Sequence, residues 1–114
     1  MTYEEIVSFV RENLKKTGVK DIDNETAVQF DIKGEGEGAF YIAVKSNKLF
    51  VEPFEYYNHN VKITLPADEL LKIVNGEKTV SECLTEDSVF VTGDEEVLVK
   101  LMSFKTAKKR HQEA

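Results

Sequence analysis

A chain of 114 residues, 41% apolar and 32% charged, suffices for one modest core and leaves no length for a second domain. Its net charge of −6 removes the cation surplus that a phosphate backbone demands, so nucleic acid is not an expected partner. No apolar run approaches a membrane span, and the single Cys83 excludes an internal disulfide or a multi-cysteine zinc site.

The opening "MTYEEIVSFV" carries acids where a secretory leader needs basic residues, so a cytoplasmic location is expected. Thr2 and Glu5 form a capping-box pattern. Tyr3, Ile6, Val7, Val10 and Leu14 follow at helical spacing, which predicts a helix over residues 3 to 16 that Gly18 ends.

From Ala27 the period falls to two: Val28, Phe30 and Ile32 alternate with Gln29, Asp31 and Lys33, as a half-buried strand requires. Next comes "KGEGEGA", in which Gly34, Gly36 and Ala39 satisfy a loose dinucleotide-binding fingerprint, with Glu55 about where a ribose-binding acid is wanted. A phosphate cradle must run into a helix, whose N-terminus supplies the oriented N–H groups. Here it runs into "AFYIAV", with strand periodicity. Glu35 and Glu37 would each repel an anion ~6 Å away by roughly 3 kcal/mol at an effective dielectric of ~20. A helix dipole returns only about 1 kcal/mol. The glycines are therefore the turn of a hairpin.

The second strand places Phe40, Ile42 and Val44 on one face and Tyr41, Ala43 and Lys45 on the other, and "SNK" at 46 to 48 turns the chain. "LFVEPFEYY", 49 to 57, predicts a third strand that Pro53 confines to a sheet edge or a bulge. After "NHN", "VKITL" at 61 to 65 is a short fourth strand. Pro66 opens a helix with Asp68 and Glu69 in its first turn and Gly76 past its end. "TVSECL" predicts a short helical turn and "SVFVTG" at 88 to 93 a fifth strand. Residues 94 to about 109 predict a last helix carrying Val97, Leu98, Leu101 and Met102. The order α, β, β, β, β, α, α, β, α suggests an α+β fold, a sheet with helices on one face.

Catalytic chemistry finds no foothold. His59 and His111 have no metal-ligand neighbours, Cys83 has Glu82 beside it where a base would be needed, and Asp94, Glu95 and Glu96 suit the start of a helix. No enzyme, cofactor or metal is expected. The run "KTAKKR", with Lys105, Lys108, Lys109 and Arg110, suits a helix C-terminus, or at most weak contact with an anionic membrane surface.

The succession "VKITLPADELLKIVNGE", "TVSECL", "SVFVTGDEEVLVKLMSF" resembles the sterol carrier protein type 2 family, with Thr64, Leu70, Gly76, Gly93, Asp94, Lys100 and Leu101 on its pattern. "FDIKGEGEGAFYIAVK" is similar to the family's first hairpin and "VEP" to its third strand. The resemblance covers about residues 25 to 104 of a single domain over 1 to 114, with an N-terminal helix and connection over 1 to 24 and the basic tail over 105 to 114. It implies a five-stranded, mainly antiparallel sheet with helices packed on one face, around an apolar tunnel that binds sterols or fatty acyl chains without chemistry. Carried over, the tunnel would be lined by Phe30, Ile32, Phe40, Ile42, Val44, Leu70, Val74, Leu84, Val89, Val91, Val97, Leu101 and Met102. A filled core would use the same residues. The sequence departs from the family in Asp87 and in Phe90, which stands where an outward lysine is common. With Tyr41, Phe50 and Phe54, Phe90 makes the outer sheet face unusually apolar, and a homodimer or protein partner is expected there. The alternative function is accordingly an interaction or dimerisation module with a filled core.

Overall fold

In a computed structural model, which describes residues 1–14, 22–56 and 59–102, the first helix begins at the expected capping box. The Thr2 N–H donates to Glu5 Oε1 at 2.8 Å and the Glu5 N–H to Thr2 Oγ1 at 3.1 Å. This helix, α1, spans Tyr3–Leu14 and buries Ile6, Val7, Val10 and Leu14. The helix end expected at 16, the strand end at Tyr57, the last helix beyond 102 and the basic tail lie outside the described residues.

The strands are β1 (Ala27–Lys33), β2 (Gly38–Lys45), β3 (Lys48–Glu52), β4 (Val61–Pro66) and β5 (Phe90–Gly93), with α2 (Ala67–Asn75) and α3 (Val80–Cys83) between the last two. A last helix, α4, covers residues 95–102. Pro66 precedes α2 with extended backbone, and Gly76 ends it in the left-handed region. Thr79 and Glu82 make a second capping box at α3.

The sheet order is β3-β2-β1-β4-β5. Three pairings are antiparallel and β1 with β4 is parallel, so the sheet is mixed. β3 is an edge strand, as Pro53 requires, but it stops at Glu52 and does not run through the proline. Topology explains the early stop. The chain must leave one edge and pass β2 and β1 to start β4, and the described residues 53–56 and 59–60 belong to that crossover. Tyr56 lies over the outer face, its ring stacked on Tyr41 at 4.7 Å, and its N–H donates to Gln29 Oε1 at 2.9 Å. Beneath the crossover Ala27 and Ala43 are fully buried although they face away from the helices. The fifth strand also starts later than expected, at Phe90.

The hairpin glycines have different tasks. Gly34 (φ +84°) has open space around it and needs only its backbone conformation. A Cβ on Gly38 would lie 2.4 Å from the Tyr3 ring, and one on Gly36 2.4 Å from Ile6 Cδ1. The turn is therefore also the seat of α1, and the Tyr3 hydroxyl donates to the Ala39 carbonyl beside it.

Candidate functional site

Strand register builds the covered face of the sheet in rows. Phe40, Phe30, Ile63 and Val91 stand opposite one another across β2, β1, β4 and β5. The next row is Val51, Ile42, Val28 and Val61, and on the other side Ile32 meets Leu65. Every one of these side chains is apolar. Over them lie Ile6, Val7, Val10 and Leu14 of α1, Leu70, Ile73 and Val74 of α2, Val80 and Cys83 of α3, and Leu98, Leu101 and Met102 of α4, in one buried cluster. At its centre Phe30 and Phe40 stack with centroids 4.9 Å apart and planes 6° apart, both fully buried.

Of the residues expected to line the apolar layer, Phe30, Ile32, Phe40, Ile42, Val44, Leu70, Val74, Val89, Leu101 and Met102 are buried, while Leu84, Val91 and Val97 are half-buried at its margins. On α4 the inward residue is Leu98. Val97, one residue earlier, faces a cleft of about 200 Å³ shared with Ile22, Asp23, Thr26, Asp94, Glu96 and Lys100. Sequence reasoning left out Ile63 and Leu65, whose alternation in "VKITL" was a usable signal, and the whole inner stripe of α1. Glu69 lies in the first turn of α2 as expected, and its carboxylate is also buried and accepts from Lys78 Nζ at 2.7 Å, with Lys72 Nζ at 3.7 Å. The Lys78 ammonium also donates to Glu86 at 2.7 Å, which ties α2 to the segments on either side of α3. These two carboxylate bonds hold the Lys78 pKa above its ordinary value, and the same contact lowers that of Glu86. Burial, reinforced by the Glu69 carboxylate, pushes the Cys83 thiol up to about 12, so it is a packing residue with no nucleophilic character at neutral pH.

On the outer face the register sets Tyr41 diagonally beside Phe50, while Phe90 stands apart from them. Tyr41 is half-buried under Tyr56. Phe90 (65% exposed) stands on the opposite edge strand from Phe50 (40% exposed), four strand spacings or about 19 Å away. Between them lie the crossover and the Asp31–Lys62 ion pair at 3.9 Å.

The profile of the SCP-2 sterol transfer family matches residues 9–105. The chain belongs to that family. A comparison with curated protein sequences returned no significant match. Among solved structures, the UbiJ-SCP2 ubiquinone synthesis protein superposes with a TM-score of 0.67 at 12% identity, over 92% of this chain and 93% of that one. Palmitated SCP2L2 from Aedes aegypti gives 0.66 at 18% identity, over 92% and 95%. Sterol Carrier Protein-2 from the same organism, in complex with C16 fatty acid, gives 0.64 at 20%, over 94% and 96%. The match begins inside α1 and so takes in the end of the first helix. Among the described residues no helix is long and apolar enough to cross a membrane.

Proposed function

We propose that this SCP-2 domain is a non-catalytic, cytoplasmic lipid-binding or lipid-carrier protein that takes one fatty acyl chain or sterol-like molecule between the sheet and the helices. The observation that carries this reading is the absence of any polar side chain from the rows of the covered face, from Phe40 across to Val91 and from Val51 across to Val61. A surface of that kind offers an occupant burial and no acid, base or nucleophile. Two solved relatives of the fold carry palmitate, which supports an acyl chain as the ligand class. Burial contributes about 0.8 kcal/mol per methylene.

Displacement of a fluorescent fatty acid by unlabelled acids of increasing length tests it, with native mass spectrometry of the freshly purified protein beside it. Affinity should rise about tenfold or more for each two carbons until the layer is full. No displacement at any length, together with no co-purified lipid, would remove the proposal. The fully buried Phe30–Phe40 stack favours a second reading, a filled core in a domain that works through its outer face.

A further inference from the structure

We infer that the outer face of β3 is a self-complementary surface on which a second copy of this chain docks about a two-fold axis running across the strand at Phe50. The register fixes what this face presents. Lys48, Phe50 and Glu52 lie on the outer side of β3, opposite Lys45, Ala43 and Tyr41 of β2. A cationic end, an apolar middle and an anionic end thus follow one another along a single edge strand. Lys48 and Phe50 are exposed and Glu52 is half-buried. Neither Lys48 nor Glu52 forms an ion pair with a described residue.

A two-fold axis across β3 reverses the strand in the second copy. Phe50 then meets Phe50 of the second copy, and each Lys48 meets a Glu52, so both ends are matched by one operation. Any axis along the strand would instead set lysine against lysine. The contact uses the outer face of the strand, since on β3 the Val51 carbonyl is already engaged, accepting from Arg11 Nε and Nη2 at 3.2 and 2.7 Å, and Pro53 follows the strand. Phe54, 61% exposed just past the strand, adds apolar area, and Tyr56 is held as a firm floor by Tyr41 and by Lys45 Nζ, 5.3 Å from its ring centre. Phe90 is too distant to take part. The arrangement is independent of whether the core holds a lipid, so its test and the lipid test fail separately.

Sedimentation velocity from the micromolar to the near-millimolar range reads the association. Lys48→Glu and Glu52→Lys should each weaken it about tenfold or more by placing like charges together, and the Lys48→Glu/Glu52→Lys double variant should restore it to within about threefold. Phe50→Lys should weaken it likewise, by setting two cations together at the axis. A wild-type protein that stays monomeric throughout overturns the proposal. So does a double variant no better than either single one, or a dimer that survives Phe50→Lys unchanged.

Discussion

Phe40→Ala distinguishes a filled apolar layer from a hollow one. The ring is fully buried, its face lies against Phe30 at 4.9 Å, and sheet and helices confine it from both sides. If the lipid-free layer is filled, truncation leaves a void that a backbone held in the middle of the sheet closes only in part. Phenylalanine-to-alanine changes in such cores cost about 3–5 kcal/mol, and the loss of a stacked partner places this site in the upper part of that range, near 4–5 kcal/mol. A domain of this size is stable by about 6–15 kcal/mol in all, so the variant still folds. With a urea dependence of about 2 kcal/mol per molar, the midpoint should fall by roughly 2 M. Adding palmitate at about a hundred times its Kd should return close to 2.7 kcal/mol, because ligand binds the folded state alone. The assay is urea unfolding of delipidated protein followed by circular dichroism, with and without palmitate. A midpoint that falls by less than about 0.5 M in the lipid-free protein would refute the filled layer, since a ring bordering empty space has fewer contacts to lose.

Two further outcomes follow from local geometry. Gly34→Ala should cost about 1–2 kcal/mol from its positive φ alone, whereas Gly38→Ala should cost more because the Tyr3 ring it strikes is tethered by its hydroxyl to Ala39; thermal melts that rank Gly34→Ala as the worse of the two would contradict this. Lys78→Met leaves Glu69 buried without its closest cation, so the variant should be less stable than wild type at neutral pH. The folded pKa of Glu86 lies below the ordinary 4.5, so its share of the stability is present above that value and is lost as pH falls through the lowered one. The raised Lys78 pKa keeps the ammonium's share intact up to its ordinary value of 10.5. The gap in urea midpoint between wild type and Lys78→Met should therefore be constant from pH 6 to 9 and shrink below about pH 4.5; a gap that grows on acidification would show that the bridge does not stabilise the fold.

The parts of this fold that could be read in the sequence are those set by neighbours along the chain. Thr2 and Glu5, Pro66 and Gly76, and the alternation through Phe30 and Phe40 each act within a few residues, and each has the expected role in the structure. What could not be read depends on contacts distant in sequence. Val97 and Leu98 are adjacent and both apolar, and about 100° of helix rotation decides which one faces the sheet; docking sets that rotation. Glu69 suits a helix start as well as it suits a buried pair with Lys78, nine residues on, and only the turn through Gly76 brings that lysine back. For the outer aromatic residues the alternation assigns a face but not a place in the strand order. That order separates Phe90 from Phe50 and sends the crossover over Tyr41. Gly36 and Gly38 were legible as turn residues but not as the seat of α1, since nothing near them in sequence announces Tyr3 and Ile6.

The strand order also separates the two activities proposed for the molecule. Phe40 and Phe50 belong to neighbouring strands but point to opposite sides of the sheet, Phe40 into the helix-covered layer and Phe50 away from it. A ligand held in this layer acts on the inner side chains of the sheet and on the helices over it, among which α2 packs on β4. β3 lies at the far edge and is anchored to α1 by Arg11 through the Val51 carbonyl. Rearrangement at the helical end therefore need not disturb the Lys48, Phe50 and Glu52 face, and residues that share no contacts contribute nearly additively. The one element shared by the two faces is α1, which covers the apolar layer with Ile6 and Val10 and holds the edge strand with Arg11.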